Sequence, residues 1–224
     1  MSDGPALAPD PRVGIVVLTY NRAAELCRTI ERLSALPEAP RIVVVDNGSR
    51  DGTVAEVARR FPAVECVALS NNTGAAGRNA GVRRCARPYV AFCDDDTWWE
   101  PGSLRVAADL LDMHPSLAIV TGRVLVGETN RLAPACIEMA NSPLPAPRWL
   151  PGAALLGFHA GASVVRREAF LAAGGFEPRF FIGGEEELLA LDLAAAGLYI
   201  AYVDALAVHH YPSAIRDDAG RQRL

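Results

Sequence analysis

Residues 88–96 read Pro-Tyr-Val-Ala-Phe-Cys-Asp-Asp-Asp, an apolar run that ends in three consecutive carboxylates. A short apolar run with β-branched and aromatic residues is typical of a buried strand. In an open parallel sheet, the loops that follow the strands form the ligand crevice. Three adjacent like charges repel one another, and a divalent cation with oxygen ligands would offset that repulsion. Taken alone, Asp94-Asp95-Asp96 could equally be a solvated acidic turn.

Apolar runs on both sides of this stretch alternate with helical patterns. Strands are predicted at residues 13–19, 41–46, 64–69, 89–93 and 117–126, and helices at residues 22–36, 53–60, 75–85 and 101–113. Strand–helix alternation predicts an α/β fold in which helices cover both faces of a mostly parallel sheet. The continuous Val and Ile runs agree with this fold, because a strand covered on both faces has no polar side.

The pattern changes after residue 126. Residues 133–151 are rich in proline and include Trp149, which predicts a long irregular connection. Such a connection is usually a lid or a binding loop, or it is disordered. Strand and helix patterns resume over residues 158–208, including a helix predicted at residues 185–196.

Charge and cysteine usage exclude several classes of protein. The net charge is -4 and there is no basic tract, which argues against a nucleic-acid or anionic-membrane partner. The chain has no lysine, so any charged side-chain contact to phosphate must come from Arg. Five cysteines without a C-x-x-C pair predict reduced thiols in a cytoplasmic protein. No segment approaches the roughly 20 apolar residues needed to span a membrane.

Polar or glycine-containing loops follow the first four predicted strands, at residues 19–22, 46–53, 71–79 and 94–96. These loops would meet at one edge of the sheet, which favours a shared ligand crevice over four unrelated turns. The loop at 71–79 is neither G-x-G-x-x-G nor a P-loop. Asp46 can accept a hydrogen bond from a ring N–H, and Arg78 can reach a phosphate oxygen. Together they suggest a nucleotide whose diphosphate is bound through a metal at the acidic run.

Eight segments carry a resemblance to one family. They are IVVLTYNR (15–22), VVVDNGSRDGT (43–53), NTGAAGRNAG (72–81), FCDDD (92–96), GASVVRREAF (161–170), GGFEPRFF (174–181), GEEE (184–187) and VH (208–209). In this order they resemble family 2 glycosyltransferases of the GT-A fold, over roughly residues 13–212. The resemblance implies a single domain with a Rossmann-like nucleotide-binding half and an acceptor-binding half. We expect these units at residues 13–126 and 158–212, joined by a Pro-rich loop at 127–157, with disordered tails at 1–12 and 213–224.

The resemblance also implies roles for particular residues. Those expected to bind the nucleotide sugar are Thr19, Asn21, Arg22, Asp46, Arg78, Asn79, Asp94 and Asp95. Asp96 and His209 would bind a Mn²⁺ or Mg²⁺ ion, and Glu186 would be the catalytic base.

The residues alone leave two of these assignments open. Glu185 and Glu186 point about 100° apart on a helix, so only one of them can face a given atom. A glutamate at this position could also simply stabilise the helix dipole. His209 and His210 point to opposite faces of an extended segment, and we favour His209 as the metal ligand.

The expected activity is metal-dependent, inverting transfer of a sugar from a nucleotide-diphospho-sugar of the UDP, GDP or dTDP type to an acceptor hydroxyl. The resemblance does not identify the acceptor. Two alternatives stay open, a nucleotidyltransferase that makes a sugar nucleotide and a non-catalytic sugar-nucleotide or glycan binder on the same scaffold.

Overall fold

The first four predicted strands pair in parallel in the computed structural model, which describes residues 8–212. They are β1 (Val13–Thr19), β2 (Arg41–Asp46), β3 (Glu65–Ala68) and β4 (Tyr89–Asp94), in the spatial order β3-β2-β1-β4. Thr19 lies opposite Asp46 of β2, and Leu18 lies opposite Asp94 of β4. The register therefore brings the polar ends of β1, β2 and β4 to one edge of the sheet.

Three helices connect these strands and one follows them, close to the predicted positions. They are α1 (Ala23–Ser34), α2 (Thr53–Arg60), α3 (Gly77–Arg84) and α4 (Ser103–Met113). A 3₁₀ turn at Gly74–Ala76 leads into α3. Leu26, Ile30 and Leu33 of α1 are fully buried, as the spacing of its apolar residues predicts.

The second half of the sheet is mixed rather than parallel. Its strands are β5 (Thr97–Trp99), β6 (Leu117–Val126), β7 (Arg131–Leu132), β8 (Ala153–Ala154), β9 (Ser163–Arg166) and β10 (Tyr199–His210). The sheet continues from β4 in the order β9-β6-β10-β5, and β7 and β8 pair with β6 and β10. β6 and β10 are parallel, whereas β5, β7, β8 and β9 pair antiparallel. The prediction of a mostly parallel sheet therefore holds for the first half of the sheet. The antiparallel pairs of the second half were not predicted, because hydrophobic patterns do not encode strand direction.

The Pro-rich connection contains regular structure. Besides β7 and β8, it holds helix α5 (Pro134–Ala140), in which Pro134 occupies the first turn. Proline is tolerated there because the first helical N–H groups have no partner within the helix. Trp149 stacks on His114 and meets Tyr199 edge-on, both at ring distances of 5.2 Å.

The expected N-terminal tail is held against the domain where the structure describes it. The side chain of Asp10 is buried, and the N–H of Asp10 donates to the carbonyl of Glu38. Arg12 forms ion pairs with Asp10, Asp109 and Asp112. Residues 1–7 and the predicted C-terminal tail at 213–224 lie outside the described residues.

The sheet separates two hydrophobic cores. Ile15 and Val17 of β1 face the core beneath α1 and α4, whereas Val16 faces the core beneath α3. The second core also receives the last two helices, α6 (Arg167–Ala172) and α7 (Glu185–Ala195). These contacts fix α7 against the sheet and point its first turn towards the polar edge. Within residues 8–212, no helix is both long and apolar enough to cross a membrane.

Candidate active site

The polar edge of the sheet forms the floor of a cavity of about 680 Å³. A cavity of this size is typical of sites for small molecules and cofactors. Its polar and charged lining residues include Thr19, Arg22, Asn47, Arg78, Asp94, Asp95, Asp96, His159, Glu185, Glu186 and His210. Residues from both halves of the domain therefore share one space.

The middle aspartate of the acidic run, Asp95, is buried and fully engaged by the protein. The hydroxyl of Thr19 donates to Asp95 Oδ2 at 2.9 Å, and an Arg22 Nη1–H donates to Asp95 Oδ1 at 3.1 Å. The backbone carbonyl of Asp95 accepts a hydrogen bond from Thr29 in α1. Burial raises the pKa of Asp95 to about 7, although Arg22 acts in the opposite direction. Asp95 thus anchors the floor of the cavity.

The third aspartate, Asp96, lies between two cationic or potentially cationic groups. Arg22 Nη1 is 3.3 Å from Asp96 Oδ2, and His210 Nε2 is 3.5 Å from Asp96 Oδ1. The N–H of Tyr211 donates to the backbone carbonyl of Asp96, which fixes the end of β10 beside the acidic run. A carboxylate and an imidazole at this distance are suitable ligands for a divalent metal.

His209, the expected second metal ligand, is not among the residues that line the cavity. Its ring stacks on Trp98 at 6.0 Å, and its Nδ1 lies 3.2 Å from Asn130 Oδ1. His210 is the histidine that faces Asp96, because β10 pairs with β5 in a register that puts His210 opposite Thr97. The geometry therefore places His210, rather than His209, beside the acidic run, and the identity of the metal ligand stays a prediction.

The first aspartate, Asp94, is ion-paired with Arg78. Arg78 is 7% exposed, and its Nε atom has no hydrogen-bond partner among the described residues. The turn at Ala160–Ala162 packs on the other side of Asp94 so tightly that a Cβ atom on Gly161 would lie 2.8 Å from Asp94 Oδ2. Glycine at residue 161 therefore allows the backbone to approach the carboxylate.

The three consecutive glutamates at the start of α7 have different environments. Glu185 is buried and accepts a hydrogen bond from the N–H of Gly183. Glu186 is partly buried, lines the cavity and accepts a hydrogen bond from the N–H of Ala160. Glu187 is exposed. Burial raises the pKa of Glu186 to about 7, and the Ala160 N–H and Arg78 partly oppose that effect. Glu186 is thus the glutamate with both the position and the basicity of a general base near neutral pH.

Three residues expected to bind the nucleotide do not line this cavity. Asn21 is exposed, and its side-chain oxygen Oδ1 accepts a hydrogen bond from the backbone N–H of Arg50. The amide of Asn79 is occupied by both backbone groups of Phe176, at 2.7 and 2.9 Å. Asp46 is buried at the end of β2, with Oδ2 bonded to the N–H of Ser49 and Oδ1 without a partner among residues 8–212.

Several cavity residues were not predicted from the sequence. Asn47 holds the glycine-containing loop through Thr73 and the carbonyl of Gly74. The N–H of Ala75 donates to the carbonyl of Phe181, which links that loop to the segment before α7. Phe181 ends the segment GGFEPRFF, which carried the family resemblance without a predicted site role, and His159 had no predicted role either. Lining residues that belong to the Pro-rich connection are Ala133, Pro134 and Ala135.

Comparisons with known proteins identify the family to which this fold belongs. Residues 14–172 match the family model described as Glycosyl transferase family 2. This match covers more than half of the chain, so the chain belongs to that family. The resemblance predicted from the sequence motifs is therefore confirmed.

A relative from Mycobacterium tuberculosis, N-acetylglucosaminyl-diphospho-decaprenol L-rhamnosyltransferase, is 26% identical over 88% of this chain and 75% of its own length. Among solved structures, GalNAc-T7 with UDP, GalNAc and Mn²⁺ superimposes with a TM-score of 0.70 at 14% identity, over 94% of this chain and 45% of that protein. The mannosyltransferase PcManGT from Pyrobaculum calidifontis, in complex with GDP-Man and Mn²⁺, superimposes with a TM-score of 0.68 at 23% identity. The superposition covers 98% of this chain and 63% of that protein. The chain spans less than two thirds of either solved protein. At these identities the structural likeness shows the GT-A fold alone.

Proposed function

We propose that this protein is a metal-dependent, inverting glycosyltransferase that moves a sugar from a nucleotide-diphospho-sugar to an acceptor hydroxyl. One observation carries the proposal. Glu186, a carboxylate whose pKa is raised to about 7, lines the same cavity as the three aspartates at the end of β4. A base and a site for a charged leaving group are the two elements that inverting transfer requires.

The nucleotide would lie across the carboxyl ends of β1, β2 and β4. Asp46 does not line the cavity, but its buried Oδ1 has no partner among the described residues. The base would have to extend beyond the cavity to the end of β2, where a ring N–H would satisfy that oxygen. Arg22 and Arg78 provide the guanidinium groups that line the cavity, and they would contact the diphosphate. Asp95, which accepts hydrogen bonds from Thr19 and Arg22, would hold the Arg22 guanidinium in place. Asp94 would face the ribose or the sugar. Asn21 and Asn79 would act indirectly, through the loops that they hold.

The donor set at Asp96 and His210 fits a divalent metal that is completed by the substrate. In the described part of the chain, no three His, Cys, Asp or Glu side chains form a cluster that could hold a metal by themselves. Mg²⁺ is commonly bound by one or two carboxylates together with substrate phosphates. Asp96 and His210 would therefore hold Mn²⁺ or Mg²⁺ jointly with the diphosphate. When bound, such an ion neutralises the charge that develops on the departing diphosphate.

Glu186 would accept the proton of the acceptor hydroxyl at its carboxylate while that oxygen attacks the anomeric carbon. Attack on the side opposite the diphosphate inverts the configuration at that carbon. The N–H of Ala160 holds Glu186 Oε1, which leaves the other oxygen, Oε2, for the acceptor. Arg78 lies near enough to affect the pKa of Glu186 and would stabilise negative charge at this end of the cavity.

The donor is proposed to be of the UDP, GDP or dTDP type. The solved structures that share the fold were obtained with UDP and with GDP-Man, and the relative from Mycobacterium tuberculosis is named a rhamnosyltransferase.

The cysteines bear on where the reaction would take place. All five are free thiols, which suits the reducing environment of the cytoplasm.

Release of nucleoside diphosphate tests the proposal. The protein is incubated with Mn²⁺ and UDP-glucose, GDP-mannose or dTDP-rhamnose, with water and simple glycosides as acceptors. We expect one donor to yield its nucleoside diphosphate, and Glu186→Gln to reduce the rate. If nucleoside triphosphates and sugar phosphates instead give inorganic diphosphate, the protein is a nucleotidyltransferase. Binding of a nucleotide sugar without turnover would contradict the catalytic role.

A further inference from the structure

His159 is a cavity residue to which the mechanism above gives no role. It lies in the connection between β8 and β9, directly before the turn at Ala160–Ala162. Its side chain lines the cavity and is partly buried. A histidine in a substrate cavity can be a structural residue, so its hydrogen bonds decide between the two interpretations.

The backbone around His159 is held rigidly. The carbonyl of His159 accepts hydrogen bonds from the hydroxyl of Ser163 at 2.7 Å and from the N–H of Ala162 at 3.0 Å. The next N–H, that of Ala160, donates to Glu186, and Gly161 packs against Asp94. Position 159 is therefore fixed relative to both the predicted base and the acidic run.

Within this segment, the imidazole of His159 is the group whose hydrogen-bonding capacity the described residues leave unused. Among residues 8–212 it has no hydrogen-bond or ion-pair partner, whereas the main-chain groups around it are bonded. Burial lowers the pKa of His159, although Glu187 and Asp94 act in the opposite direction. A neutral imidazole has one N–H donor and one nitrogen acceptor. A sugar hydroxyl also offers one donor and an acceptor oxygen, so the two groups match.

We propose that His159 binds a hydroxyl of the transferred sugar and helps to select the donor sugar. This inference rests on the proposed function, in which the sugar lies between the metal site and Glu186. His159 lines the cavity and directly precedes Ala160 and Gly161, which contact Glu186 and Asp94, so it lies at the end of the cavity that holds these two carboxylates. Phosphate groups are a less suitable ligand, because a neutral imidazole lacks the charge that Arg22 and Arg78 provide. A site that bonds to a hydroxyl strongly rejects a sugar that lacks it.

Paired binding measurements separate the sugar from the nucleotide. Calorimetry in Mn²⁺ would give dissociation constants for UDP and UDP-glucose, GDP and GDP-mannose, and dTDP and dTDP-rhamnose. The pair that wild-type protein binds most tightly is then measured with His159→Phe and His159→Gln. Phe removes both nitrogens but keeps a ring, and Gln keeps a donor and an acceptor. His114→Phe is the matched control, since His114 stacks on Trp149 and does not line the cavity.

We expect His159→Phe to weaken the nucleotide sugar about tenfold, the size of one net hydrogen bond, and to leave the nucleoside diphosphate within about twofold. His159→Gln should recover part of the loss. Equal weakening of both ligands, or no change in either, would overturn the proposal. If wild-type protein binds none of the six ligands, the proposed function itself fails and this inference fails with it.

Discussion

Glu186 Oε1 accepts a hydrogen bond of 2.5 Å from the backbone N–H of Ala160. This contact joins the first turn of α7 to the turn that packs against Asp94. The side chains of the predicted base and of Asp94 are therefore both held against one short backbone segment, Ala160–Gly161. Preorganisation of this kind is what a reaction needs when a base and a leaving group must be aligned.

Glu186→Gln removes the proposed base but keeps an acceptor oxygen for the Ala160 N–H. General-base catalysis typically contributes about 10²–10⁴-fold, so we expect turnover to fall by at least about 100-fold. Glu187→Gln, at the exposed neighbour, should stay within about twofold of wild type. Steady-state rates of nucleoside diphosphate release check both. Equal losses in the two variants would remove Glu186 from the role.

The raised pKa of Glu186 predicts an acidic limb in the pH–rate profile. A base must be ionised, so activity is present above its pKa and is lost as pH falls through about 7. The rate should then fall about tenfold for each pH unit below 6. Asp95 also has a pKa raised to about 7, so the profile of Glu186→Gln is the control. A limb that persists unchanged in Glu186→Gln would assign the titration to Asp95 or another group.

The two adjacent histidines should differ in their effect on metal binding. His210→Ala should weaken Mn²⁺ binding in the presence of nucleoside diphosphate at least tenfold, because it removes a group 3.5 Å from Asp96. His209→Ala should change it by less than about twofold, since that ring stacks on Trp98 outside the cavity lining. Electron paramagnetic resonance of free Mn²⁺ measures both. The opposite order would restore His209 as the ligand.

Asn79 should affect stability more than nucleotide affinity. Asn79→Ala leaves the buried N–H and C=O of Phe176 without their partner, at a cost of about 1–3 kcal/mol. For a domain of this size, that lowers the unfolding temperature by about 2–10 °C. Asn71→Ala, at an exposed position in the loop that precedes α3, is the control. Thermal unfolding and calorimetry together decide, and a loss of nucleotide affinity at unchanged stability would favour direct nucleotide binding.

The sequence predicted the parallel half of the fold well because each strand there is a continuous apolar run. The bounds of β1, β2, α2 and β6 agree with prediction residue for residue. β5 was not predicted, since three residues are too short to show a period and its partner β10 is about a hundred residues away. Helix α5 was not predicted because prolines dominate the surrounding segment, although Pro134 is well suited to a helix start.

Sequence analysis predicted the site residues that directly follow strands. It did not place the residues whose position depends on pairing between strands that are distant in sequence. Alternation along an extended segment implied that one of His209 and His210 faces the crevice, but the pairing of β10 with β5 determines which one. Helix geometry likewise separated Glu185 from Glu186 without telling which of them meets Ala160. No local pattern marks His159, because its position depends on contacts with α7 and β4 that are distant in sequence.

The central claim is that a nucleoside diphosphate and a divalent metal bind together at Asp96. The most direct test is the thermal stability of wild-type protein and Asp96→Ala with UDP, GDP and dTDP, each with and without Mn²⁺. A ligand at 100 times its dissociation constant adds about 2.7 kcal/mol to the free energy of unfolding. We predict that one nucleotide raises the unfolding temperature by about 5–10 °C only when Mn²⁺ is present, and that Asp96→Ala abolishes the increase. No stabilisation by any of the three, or equal stabilisation of Asp96→Ala, would contradict the claim.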